Sequence, residues 1–433
     1  MALVLPTPEH VAWADCEVGV IIHMDVQTFA PEYRFREDGA TPPPPGVFDP
    51  AQLDTDQWIA TAVAAGARYA VLVAKHCSGF SLWPTAAHEY SVAQSGWRDG
   101  RGDIVGDFIA SCAKFGVQPG LYYSTSCNAY CGVDNPGKVK SGEDADQARY
   151  NEIVMQQLTE IWTRYGPLFE IWFDGGTLPP EQGGPDVLSL LWSLQPQAVC
   201  FQGPKGTRSM LRWVGNERAE APYPCWSTTN LATGRFTGEE DAPPQGAGDP
   251  DGAYWAPAES DMPNRDQHQA FQGGWFWRPG DDQYLYPVEH LVERYYQSVG
   301  RNSNLLLGMV IDNRGLVPDA DVQQFTAFGQ AIAEQFQHCL GETSGSGDEV
   351  VLELGGPQVV RQVAIQEDLA AGERVREYVL EGRTGDTWRD LSRGSCVGHQ
   401  RIERLEPTEL AAVRVRVTKA VAEPRVRRLA VYG

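Results

Sequence analysis

Two acidic residues sit where β-rich runs end in this 433-residue chain, Asp174 in WFDGG and Glu217 in WVGNE. The two glycines after Asp174 let the backbone turn sharply, so a substrate can approach its carboxylate. Two carboxylates flanking a scissile bond suit glycoside hydrolysis, one attacking carbon or activating water while the other protonates the departing oxygen. Read locally, Asp174 is also an ordinary helix N-cap, and 57 acidic residues make many chance pairs. His23 after VGVII and His76 after YAVLVAK can donate to sugar hydroxyls. Together with Asp25 and Asp174 they also offer the donor types of a metal-dependent barrel hydrolase, and a buried structural histidine is the third reading. The metal reading needs another ligand late in the barrel, but His268 falls in a polar loop and His290 on a helix. Cys127 and Cys131 lack a second Cys/His pair to complete a zinc site.

The elements that must position these residues follow a repeating pattern. DTDQWIATAVAAGARYAVLVAKH reads as an Asp-capped helix, a closing Gly66 and a strand; GDIVGDFIASCAKFGVQPGLYYS repeats it with Asp103 and Gly116. ADQARYNEIVMQQLTEIWTRYGPLFEIWFDGG repeats it again, closed by Gly166. Strands alternating with helices imply a parallel sheet. His23, His76, Tyr123, Asp174 and Glu217 all fall at strand ends, which favours a (β/α)8-like TIM barrel, whose active-site face is built there. Residues 177–285 are rich in Pro, Gly and Trp with weak periodicity, so the second half of the barrel is expected to be loop-heavy.

The catalytic domain is expected over 1–340, followed by a Gly/Ser/acidic linker at 341–348. Beyond it EVVLEL, VVRQVAI, REYVLEG, AAVRVRV and RRLAVYG alternate at period two, the mark of a small antiparallel β-sandwich over 349–433. A net charge of −22 repels phosphate backbones and anionic bilayers, so neither nucleic acid nor membrane is an expected partner. Thirteen tryptophans suit burial of the flat faces of a sugar. Nine scattered cysteines fit a reducing compartment. The start MALVLPTPEH has neither a basic n-region nor a cleavage site, so the expected location is cytoplasmic, with secretion possible if the true start lies upstream.

The chain resembles the retaining α-L-fucosidases of glycoside hydrolase family 29, particularly the branch acting on α-1,3/1,4-linked fucose. The segments that carry the resemblance include VGVIIHMDVQTFAPEY, FDPAQLDTDQWIATAVAAGARYAVLVAKHCSGFSLWP, YGPLFEIWFDGG, WVGNE, WAPAESDM, GGWFWRPGDD and VGRNSNLLLGMVIDNRGLV, over about residues 1–335. The resemblance implies a metal-independent double displacement without cofactor, with Asp174 as nucleophile and Glu217 as acid/base. It places His23, His76, Tyr123, Trp172 and Glu32 of PEY around fucose. Glu259, Asp261 and Trp275 fall near a neighbouring sugar, and Glu259 is the reserve acid/base. Many members read His-Trp-Gly or His-Phe-Gly where this chain has His23-Met24-Asp25, and Lys-His-His-Asp where it has Lys75-His76-Cys77-Ser78. The implied substrate is a fucosylated, Lewis-type oligosaccharide or glycoconjugate. A carbohydrate-binding barrel that has lost turnover and a metal-dependent hydrolase are the alternatives. The C-terminal sandwich resembles galactose-binding-like domains.

Overall fold

The computed structural model describes residues 3–34, 41–231 and 245–433. A short helix α1 (Pro8–Ala14) leads into β1 (Val18–His23). Asp54 caps α2 (Thr55–Ala64) by accepting from the backbone N–H groups of Asp56 and Gln57, and β2 (Tyr69–Lys75) follows. Asp103 caps α3 (Ile104–Phe115) in the same way, and Gly116, at φ 70°, supplies the left-handed turn into β3 (Gln118–Tyr123). The pattern continues through α4 (Asp144–Arg164), β4 (Glu170–Trp172), α5 (Val187–Leu194) and β5 (Val199–Phe201).

Then the rhythm breaks. β6 (Met210–Trp213) follows β5 through a short turn, and β7 (Ala258–Pro263) comes after a long excursion; no α-helix intervenes in either connection among the described residues. Helix α6 (Val288–Ser298), β8 (Ser303–Val310) and α7 (Asp319–Gln335) restore it. The eight strands are parallel and run in chain order around a closed barrel, with β8 pairing β1 from Val18 opposite Leu305 to His23 opposite Val310. The loop-heavy second half expected from the sequence is therefore these two helix-free connections.

Two apolar layers result from strand alternation. Val20, Ile22, Leu72, Leu121 and Ile171 face the helices, while Ile21, Val71, Tyr69, Trp172, Phe201 and Leu306 fill the barrel interior. A Cβ on Gly19 would lie 2.3 Å from the Tyr69 ring, so only glycine leaves room for that ring inside.

The C-terminal strands are β9 (Cys339–Ser346), β10 (Glu349–Glu367), β11 (Val375–Thr384), β12 (Thr387–Gly394), β13 (Arg401–Ala420) and β14 (Arg425–Tyr432). They form one antiparallel sheet in the order β9-β14-β10-β13-β11-β12. Register shifts interrupt β10 between Glu353 and Gln358, and both of its halves feed one apolar core around Leu352, Val363, Leu410 and Leu429. Residues 341–348, expected as a linker, belong mostly to β9, which pairs with β14. Gly345, which reads as flexible, serves close packing instead: a Cβ there would come within 3.2 Å of Val350.

This sheet is locked to the barrel. Phe336 meets Tyr432 edge to face at 5.1 Å, Tyr296 donates to Gln362 at 2.9 Å, and buried Glu373 accepts from Ser227 and Asn302. The aromatic residues that a sugar-binding face would display are engaged in packing. Tyr378 is buried and donates to Glu403, Tyr432 packs on Phe336, and Arg414 lies 4.3 Å over the Trp388 ring.

Candidate active site

A cavity of about 210 Å³ opens at the C-terminal ends of the barrel strands. Asp174 and Glu217 both line it, with His23, His76, Trp172, Asp261 and Trp275. Asp174 follows β4 by two residues. The Gly175 N–H donates to Gln202 at 2.7 Å, and the Asp174 carbonyl accepts from Ser126 at 2.7 Å, so the turn carrying the acid is held from both neighbouring loops. Glu217 stands on the exposed loop beyond β6, where Trp275 donates to its carboxylate at 3.3 Å.

The walls are aromatic. Trp172 stacks on Phe201 at 3.9 Å, Tyr122 stacks on Trp172 at 5.3 Å, and His76 stacks on Tyr122 at 5.8 Å. Opposite them Trp275 lies 5.0 Å from His23, and Phe276 meets both histidines edge to face. The Trp275 ring reaches this place because β8 carries Gly308, where a Cβ would lie 2.7 Å from it.

Alternation corrects one expected residue by a single position. Tyr123 shares the outer face of β3 with Leu121 and donates to Gln157 at 2.7 Å, away from the cavity. Tyr122 faces inward, and its hydroxyl donates to Asp174 Oδ2 at 3.0 Å. Two consecutive tyrosines at a strand end left the inward one undetermined until register was known. The same rule separates Glu259 from Asp261 on β7. Both face the interior, but two residues along a strand is roughly 6.6 Å, so Asp261 lines the cavity and Glu259 lies one layer deeper.

Glu259 is fully buried, accepting from Tyr69 at 2.7 Å and from Trp172 at 2.8 Å. It is neither a second-sugar contact nor a reserve acid/base at the mouth; it holds Trp172 in the cavity wall. Glu32 is corrected as well: Tyr33 turns inward and is buried, which leaves Glu32 exposed on the turn and off the cavity lining. Phe276 was missed, though it lies beside Trp275 in the same GGWFW segment.

Burial sets the charges. It pushes His23 down to about 3, so the ring is neutral at ordinary pH. Asp261, which accepts from Trp213 at 2.6 Å, is pushed well up by burial and then by the negative charge of Glu217. Asp25 accepts from Val26 N–H and from the Ser78 hydroxyl, each at 2.7 Å, so it caps a turn. Among the described residues, His76, Cys77 and Asp174 form the one trio whose donor atoms come close enough to share a metal ion.

A closed parallel barrel with two carboxylates at the mouth of an aromatic-walled cavity is the architecture of a barrel glycoside hydrolase. The chain belongs to the α-L-fucosidase family, whose model, Alpha-L-fucosidase, matches residues 9–335. It is similar to Alpha-L-fucosidase 1 of Arabidopsis thaliana, 29% identical over 473 residues, covering 99% of this chain and 88% of the relative. A crystal structure from Bacteroides thetaiotaomicron VPI-5482 shares 36% identity over 100% of both chains with a TM-score of 0.92. A Ruminococcus gnavus family 29 fucosidase solved in complex with fucose, at 24% identity over 100% of this chain and 96% of that one, shares the fold with a TM-score of 0.83.

Proposed function

We propose that the protein is a retaining α-L-fucosidase that releases α-1,3/1,4-linked fucose from branched, Lewis-type glycans. The observation that carries this reading is the convergence of Asp174 and Glu217 on one small aromatic-walled cavity. Asp174 attacks the anomeric carbon while Glu217 protonates the departing oxygen; Glu217 then acts as base for the water that hydrolyses the glycosyl-enzyme. Tyr122 steadies the attacking carboxylate, and its hydrogen bond weakens as that oxygen gives up charge to the new ester. Trp275 and Phe276 offer an apolar face to the methyl group of fucose, and neutral His23 offers a ring nitrogen to a hydroxyl.

The cavity suits one sugar ring, so a branching galactose would lie beyond it, past Trp275 and the exposed loop of Glu217. Binding energy from that remote sugar can be expressed in the transition state, raising turnover as well as affinity. Three assays test the reading. Proton NMR of the first-formed product should show the α-anomer. A Lewis-type trisaccharide should have a higher kcat/KM than the linear disaccharide lacking galactose, and equal values would sink the branch assignment. Turnover of an aryl α-L-fucoside should survive a chelator; loss with chelator would favour a metal-dependent hydrolase, and no product at all would favour a binding barrel.

A further inference from the structure

Behind the cavity lining, sulfur lies beside the strand-end carboxylate. His76 and Cys77 directly follow β2, and Cys77 is buried. An imidazole nitrogen of His76, the thiol sulfur of Cys77 and a carboxylate oxygen of Asp174 all lie within 4.8 Å of one another. A second thiol is brought in by the β3 loop. The N–H of Ala129 donates to the Cys77 carbonyl at 2.8 Å, and the Ser124 hydroxyl lies 3.8 Å from the Cys77 sulfur while donating to the Cys127 carbonyl at 3.1 Å. Ser124 thus bridges the two cysteines, its hydroxyl beside the Cys77 sulfur and bonded to the Cys127 backbone.

Tetrahedral zinc holds nitrogen at roughly 2.0–2.1 Å and sulfur at roughly 2.3 Å, which sets its donors roughly 3.3–3.8 Å apart. The trio, whose donors lie no more than 4.8 Å apart, therefore has to contract by at most about 1–1.5 Å. One nitrogen, one carboxylate oxygen and two sulfurs select a thiophilic ion over Mg²⁺ or Ca²⁺, which take oxygen ligands. We infer that His76, Cys77 and Asp174, with Cys127 as fourth donor, form an inhibitory site for a thiophilic divalent cation of the zinc class. On binding, Cys77 loses its proton to solvent and the Asp174 carboxylate becomes a ligand. That carboxylate is then unavailable to form a glycosyl ester, so cation and fucose exclude one another. The cation acts against turnover here, the opposite of a catalytic metal; this consequence for activity rests on the proposed fucosidase reaction, whereas the site itself does not.

The test separates the two. Co²⁺ added to the full chain should give a thiolate-to-cobalt charge-transfer band that one equivalent of Zn²⁺ removes and that L-fucose weakens. Cys77→Ser should abolish the band, and Cys127→Ser should diminish it. Loss of a group merely adjacent to a metal ligand already costs about 10–100-fold in affinity, so Cys77→Ser should raise the half-inhibitory Zn²⁺ concentration at least about tenfold. EDTA should restore activity to the zinc-treated wild type. No thiolate band in the folded wild type, or a band and zinc inhibition unchanged in Cys77→Ser, overturns the site. A band that behaves as expected in a protein that does not cleave fucosides upholds the site and removes the fucosidase reading alone. Should Cys77→Ser fail to fold, Cys127→Ser at the half-buried position decides: an undiminished band in that variant overturns the four-donor arrangement.

Discussion

One barrel holds two pairs of carboxylates that differ chiefly in their access to water. Asp174 and Glu217 stand at the mouth, half-buried and exposed, on loops past the strand ends. Glu170 and Glu259 lie inside, both fully buried, on β4 and β7. Burial pushes Glu259 up to about 7, and burial with the Glu259 charge pushes Glu170 well up, so the inner pair keeps protons at a pH where exposed carboxyls have lost theirs. A neutral carboxyl bridging Tyr69 and Trp172 is a packing element with polar ends; a carboxylate at an open mouth can be a nucleophile. Two facing acids in a barrel therefore do not identify catalysis by themselves. Depth along the strand is what separates these two pairs.

The contrast is broken most severely at Asp174. Asp174→Ala should lower kcat/KM by roughly four orders of magnitude with little change in melting temperature, whereas Glu259→Gln should keep activity within an order of magnitude. Steady-state kinetics beside thermal melts check both; a Glu259→Gln enzyme as inactive as Asp174→Ala would erase the distinction. Next comes Glu217→Ala, expected to cost about 10²–10³-fold on substrates with basic leaving groups and far less on activated aryl fucosides. Equal losses on both would remove Glu217 as the acid.

Tyr122→Phe deletes one hydrogen bond to Asp174 and should cost roughly tenfold in kcat, the worth of about 1.5 kcal/mol for a bond to a charged group. Tyr123→Phe leaves Gln157 short of a partner and should cost about 1 kcal/mol of stability with no change in kcat, which sharpens inner face against outer face.

The smallest effect concerns pH. Above about pH 4.5 the unfolded chain ionises Glu259 while the folded chain keeps it protonated up to about 7. The unfolded state then binds fewer protons, so this group's contribution makes stability fall as pH rises through that window. Urea midpoints across it should decline less steeply in Glu259→Gln; Glu367 and Asp25, also pushed up to about 7 by burial, leave part of the decline in place. An unchanged slope would mean that Glu259 is ionised in its layer.

Much of this arrangement is legible in the residues. The Asp54 and Asp103 caps, the closing glycines and the strand-end acids locate the first four strands and the mouth, because caps and breakers act locally. Inward and outward faces are not local: YY at 122–123 and AESD at 258–261 read alike in either register, and only strand pairing puts Tyr122 and Asp261 in the cavity and Glu259 beneath it. Edge strand β9 hid for a related reason, since GETSGSGDE has a linker's composition and becomes a strand only because β14 is there to pair with it. Phe276 reaches the cavity through a loop whose path no period encodes.

The mouth carboxylate of Asp174, and no inner one, is expected to form the bond to the sugar. Incubation with 2-deoxy-2-fluoro-fucosyl fluoride followed by peptide mapping reads that bond directly. One added fluorofucosyl group per chain is expected, on the peptide carrying Asp174 and absent from Asp174→Ala. A label on Glu217, Glu170 or Glu259, or undiminished labelling in Asp174→Ala, would contradict it.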